Sequence, residues 1–125
     1  MDTRNKILSP DAAPRGCTVV TGVFDVVLAA DARQLAEIRE SHPDRPILVV
    51  VLPLSEELLP QRARAELVAA LRMVDYVVAA DHRDLEQLVA AIEPPEVIRF
   101  EAADAQRAQQ LTEHVIDLFW HRKNR

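Results

Sequence analysis

Apolar residues fall along this chain in two rhythms. Short β-branched or apolar runs at 18–21, 47–52, 76–78 and 97–100 predict four strands. Between them, apolar positions recur every three to four residues, the period of a helix with one buried face. The first such stretch, 31–41, turns Ala32, Leu35, Ala36 and Ile38 inward; the second, 62–73, turns Ala63, Leu67, Ala70 and Leu71 inward. A third, 84–92, carries Leu85, Leu88, Val89 and Ile92, and a fourth, 105–121, carries Ala108, Leu111, Val115, Leu118 and Phe119. His42-Pro43-Asp44-Arg45-Pro46 stops the first helix, because proline and the residue before it resist helical geometry. Residues 53–60, bounded by prolines, read as a loop. The run 47–52 is apolar on both faces, as a central parallel strand should be. Strands alternating with helices predict an α/β fold: a single Rossmann-like, doubly wound parallel sheet with helices on both faces. Residues 1–15, with Pro10 and Pro14, read as a flexible lead-in, and 16–125 as one domain.

Composition narrows the function classes. At 125 residues the chain has room for one core, and 49% apolar with 28% charged residues is ordinary globular composition. The longest apolar run, 47–54, contains Pro53 and is too short to span a bilayer. No basic start followed by an apolar segment opens the chain, and the single Cys17 has no partner for a disulfide. A cytoplasmic protein with no membrane association is the expectation. A net charge of −5 argues against a nucleic-acid partner. The two lysines, Lys6 and Lys123, lie in the terminal segments, and the two glycines are Gly16 and Gly22. A P-loop or dinucleotide fingerprint needs several glycines in one turn, so both are excluded.

The stretch from Gly22 to Asp31 joins a strand to a helix start through a tight turn, the usual α/β device for holding a phosphate. Its helix-start positions hold Leu28, Ala30 and Asp31. Aspartate is a favoured N-cap, so Asp31 reads as the cap of the following helix. Metal binding by Asp25 with Asp31 lacks a third ligand. His42, His82, His114 and His121 read as solvent-facing, Cys17 as a buried thiol, and Asp84 as a helix cap. Trp120 beside Phe119 reads as a cover for the core, with a dimer seam as the other option.

Three segments, in order over about residues 18–100, resemble the cytidylyltransferase-like nucleotidyltransferases, the superfamily of glycerol-3-phosphate cytidylyltransferase and the nucleotidyltransferase part of the ADP-heptose synthesis enzyme. Val20-Thr-Gly-Val-Phe-Asp-Val-Val-Leu-Ala-Ala-Asp-Ala-Arg-Gln-Leu35 resembles the family's T-x-G-x-F-D stretch, which leads into H-x-G-H and a helix. Arg64-Ala-Glu-Leu-Val-Ala-Ala-Leu-Arg-Met-Val-Asp-Tyr-Val-Val78 is similar to its R-x-x-x-L-x-A-L-R-x-V-D-Y-V segment. Ile92-Glu-Pro-Pro-Glu-Val-Ile98 stands where the family has L-x-P-D-x-hydrophobic.

The resemblance implies a degenerate member. The family's two motif histidines stabilise charge on nucleotide phosphates; here their positions are Leu28, which offers no donor, and Asp31, an anion. A carboxylate about 4 Å from a phosphate charge is repelled by roughly 4 kcal/mol at an effective dielectric near 20. The motif glycine is Ala30, and the loop 53–61 lacks the family's lysine. Arg99-Phe-Glu-Ala-Ala-Asp104 replaces the glycine-rich segment after the fourth strand, and the late R-T-x-G-I-S-T-S signature has no counterpart.

The expectation is therefore a catalytically inactive protein with no catalytic residue, cofactor or metal. It would act as a binding, regulatory or scaffolding subunit, as a homodimer or with a protein partner. The vestigial nucleotide site would comprise Thr21, Gly22, Phe24, Asp25, Asp31 and Arg64, the last an exposed helix-start arginine free to meet an anion. The alternative is an active enzyme, using CTP or ATP with Mg2+ and a sugar- or polyol-phosphate acceptor. Its phosphate donors would be Arg62, Arg64 and the backbone N–H groups near Gly22. A receiver-like domain is disfavoured, because the aspartate and lysine it needs are absent from the strand ends.

Overall fold

The computed structural model describes residues 2–25 and 27–101. The helix expected over 105–121, with His114, Phe119, Trp120 and His121, lies outside the described residues. Within them are five strands, β1 (Ile7–Leu8), β2 (Thr18–Gly22), β3 (Ile47–Val51), β4 (Tyr76–Ala79) and β5 (Val97–Arg99). Three helices connect them, α1 (Ala29–Ser41), α2 (Gln61–Ala69) and α3 (His82–Ile92). All strand pairs are parallel, in the order β1-β4-β3-β2-β5. The Rossmann-like α/β class expected from the strand–helix alternation is the one observed.

The order follows from handedness. From β2 the chain steps outward to β3 and then β4; right-handed crossovers put α1 and α2 on the same face. It then reverses past β3 and β2 to reach β5, which puts α3 on the opposite face. Strand alternation sorts the core accordingly. Val20, Val49, Val51 and Val77 pack with Leu35 of α1 and with Ala65 and Val68 of α2. Val19, Leu48, Val50 and Val78 pack with Leu85, Leu88 and Ile92 of α3. No helix among the described residues is long and apolar enough to cross a membrane.

Three local expectations need correction. The lead-in carries β1, which pairs Ile7 and Leu8 with Val77 and Val78 at the sheet edge; two residues are too few to set up a visible period. In α2 the inward face is Arg64, Ala65, Val68 and Ala69, while Leu67 is 46% exposed and Ala70 is exposed. Alanines on both sides of this short helix made two faces look apolar, and the arginine hid the true one. In α3 the cap is Asp81, whose side chain accepts the Asp84 N–H at 2.7 Å. Asp84 sits inside the first turn, where its charge complements the helix dipole.

The α2 phase can be checked by urea unfolding. Leu67→Ala is expected to change stability by less than about 0.5 kcal/mol. Leu35→Ala, on the fully buried face of α1, is expected to cost about 2–5 kcal/mol.

Candidate functional site

In an open α/β sheet, ligands bind beyond the carboxyl ends of the strands where the winding reverses. Here that point lies between β2 and β5. It is built from the end of β2 with the turn to α1, the end of β5, and the 53–60 loop that leads into α2.

The turn is shaped by packing. A Cβ on Gly22 would lie 2.7 Å from Cε2 and 2.9 Å from Cζ of Phe24, and 3.2 Å from Cβ of Phe100. Only glycine leaves room for that ring. Phe24 itself takes a left-handed φ of 50°, unusual for a bulky residue. Its ring is buried at a centroid distance of 5.9 Å from Phe100. The strained turn is thus held by an aromatic pair that fills the space between the ends of β2 and β5.

Arg64 is the largest fully buried side chain among the described residues. Its Nη1 donates to the Val23 carbonyl at 2.6 Å and the Leu52 carbonyl at 2.8 Å. Nε donates to the Leu59 carbonyl at 3.0 Å, and Nη2 meets the Glu57 carboxylate at 2.9 Å. The expectation of an exposed helix-start arginine is corrected: this guanidinium joins the ends of β2 and β3 to the 53–60 loop.

Asp25 fastens the same loop from the other side, accepting the Leu58 N–H at 2.7 Å and the Leu59 N–H at 3.0 Å. The Leu58 N–H does most to hold the Asp25 carboxyl below its ordinary pKa. Desolvation works against this, and the Leu59 N–H and the Arg64 charge add to the lowering. Asp31 is buried and stands at the third position of α1, where it accepts the Leu28 N–H at 3.0 Å. The N-cap is Leu28, whose side chain is half exposed, so Asp31 caps from inside the helix and not as the N-cap. Helix α1 begins two residues earlier than its apolar period indicates, because Ala29 and Ala30 add nothing to the buried face.

Thr21, fully buried, donates its hydroxyl to Glu101 at 2.6 Å. Glu101 is also 3.6 Å from Nη1 of Arg99. The structure therefore brings the six predicted residues to one sheet edge, with Asp25 and Arg64 holding one loop between them. It adds Glu57, Phe100 and Glu101, which sequence reasoning missed. Glu101 had a usable signal, since it follows the last predicted strand at its carboxyl end. Glu57 had none, because its partner depends on how the loop folds back.

Three further candidates among the described residues are engaged or buried elsewhere. Arg62 is exposed and pairs with Glu66 at 3.5 Å along α2. Lys6, at the opposite end of the sheet, donates to the Leu71 carbonyl at 3.2 Å. Cys17 is buried, and burial pushes its thiol pKa up, with the Asp75 charge adding to the shift. Among the described residues no group of three or more His, Cys, Asp and Glu is placed to hold a metal ion.

Among solved structures, the fold is similar to that of the lipopolysaccharide core biosynthesis protein from Thermoplasma volcanium GSS1. The TM-score is 0.56 at 21% identity, over 66% of this chain and 71% of that one. At this identity the likeness is one of fold. No family model and no curated protein matches the chain.

Two outcomes test the geometry. Arg64→Met leaves the Val23, Leu52 and Leu59 carbonyls without their donor; each buried acceptor left dry costs about 1–3 kcal/mol. A loss of at least about 2 kcal/mol in chemical denaturation is expected. Asp25 has a depressed folded-state pKa, so its contribution is present above the unfolded value near about 3.9 and is lost as pH falls through the folded value. The stability gap between wild type and Asp25→Asn is expected to be full at pH 7. It should narrow progressively below about pH 4 in pH-dependent unfolding.

Proposed function

We propose that this chain descends from the cytidylyltransferase-like nucleotidyltransferases, no longer transfers nucleotides, and serves as a binding, regulatory or scaffolding subunit in the cytoplasm. It would work as a homodimer or with a protein partner. One observation carries the reading: the polar side chains of the candidate site are engaged by the chain itself. Arg64 holds carbonyls and Glu57, Asp25 holds two backbone N–H groups, Asp31 takes an N–H at the helix start, and Thr21 is bonded to Glu101. A nucleotide phosphate needs free donors, and here the exposed Arg99 already faces the Glu101 carboxylate at 3.6 Å. The likeness in fold to a lipopolysaccharide core biosynthesis protein favours descent from a biosynthetic enzyme.

Calorimetric titration with CTP and ATP, with and without Mg2+, tests this directly. No binding in the micromolar range is expected. Micromolar affinity, or pyrophosphate release with sugar or polyol phosphates, would revive the active-enzyme alternative. The triple change Leu28→His, Ala30→Gly and Asp31→His is expected to restore no affinity, because Arg64, Asp25 and Glu101 stay engaged elsewhere.

A further inference from the structure

Thr21 and Arg99 are register partners across β2 and β5, so their side chains leave the sheet on the same face. Glu101 follows Arg99 by two residues and folds back between them. Its carboxylate accepts the buried Thr21 hydroxyl at 2.6 Å through Oε2, and its Oε1 lies 3.6 Å from the Arg99 guanidinium. A buried hydroxyl and a guanidinium thus converge on one anion at the point of the sheet where ligands bind, and that anion belongs to the chain. Carboxylate and phosphoryl oxygens accept hydrogen bonds from the same donors.

We propose that Thr21 and Arg99 form a phosphoryl-binding site that Glu101 occupies as an internal anion. The inference rests on the reading of this edge as a disused nucleotide site and says what keeps part of it closed. Glu101 satisfies the Thr21 hydroxyl, which would otherwise be buried without a partner. It also presents negative charge to any phosphate that approaches. Arg99 is well exposed and can swing to an incoming anion, with side-chain exposure of 62% against 25% for Glu101. The ligand class is a phosphate group, free or carried by a nucleotide.

The test is calorimetric titration of the full chain with inorganic phosphate, pyrophosphate and CTP, comparing wild type with Glu101→Ala. The variant is expected to bind one or more of them at least tenfold more tightly. A gain for inorganic phosphate or pyrophosphate supports a free-phosphate site, and a gain confined to CTP supports a nucleotide site. Adding Thr21→Val and Arg99→Ala should remove the gain. Glu101→Gln keeps the shape and an acceptor for Thr21 but loses the charge, and a gain of about threefold is expected; it decides the matter if circular dichroism finds Glu101→Ala unfolded. A folded variant no tighter than wild type, or a gain that survives loss of Thr21 and Arg99, overturns the proposal. Micromolar CTP binding by wild type overturns the disused-site reading by itself; the comparison with Glu101→Ala still decides whether Glu101 blocks the site.

Discussion

The carboxyl edge of this sheet depends on one buried guanidinium. Parallel strands end there with carbonyls that the ladder no longer uses, and a buried carbonyl without a donor is costly. Arg64 reaches back from α2 and satisfies two of them, on Val23 and Leu52, with a single Nη1 nitrogen. Its Nε and Nη2 hold the Leu59 carbonyl and Glu57, so the 53–60 loop cannot leave without uncovering the strand ends. Lysine could not replace it, because the contacts diverge from a planar fork and a lysine presents one ammonium point.

From that clasp the rest of the edge follows. Once Arg64 fixes the loop, Leu58 and Leu59 present their N–H groups to Asp25, and the β2 turn is tied to the loop as firmly as β3 is. The tied turn holds Phe24 at its positive φ, its ring lies over Gly22, and Phe100 closes on it from β5. Charge, turn geometry and aromatic packing reinforce one another at the ends of β2 and β5.

Much of this architecture was legible in the sequence. The four longer strands show as β-branched or apolar runs and helices α1 and α3 as a clear helical period, with ends within about two residues of those expected. What escaped was non-local. Arg64 could be matched to a family position but not assigned a partner, because its carbonyls lie 41, 12 and 5 residues back along the chain. Placing Asp31 as an N-cap identified the right role from the wrong position: its carboxylate serves the helix start from one turn in. The phase of α2 was misread because a buried arginine counts as polar in any periodicity argument. Such an argument cannot know that the arginine has internal acceptors.

The contacts of Arg64 therefore make it a structural residue of this edge. In this chain the arginine satisfies strand-end carbonyls, work that needs no nucleotide on the edge. The positions that bear on binding are those whose side chains could point away from the protein. There the chain has Leu28 at the α1 cap, Asp31 turned back onto the Leu28 N–H, and Glu101 on Thr21. Two of these three are carboxylates held by the chain's own donors, the third is apolar, and Arg99 beside Glu101 is an exposed cation of this edge. Among the described residues the one buried side-chain polar atom without a hydrogen bond is the Thr18 hydroxyl, on the opposite end of β2. At this edge Arg64, Asp25, Asp31 and Thr21 all find hydrogen-bond partners within the chain, so its polar side chains and its fold are stabilised together.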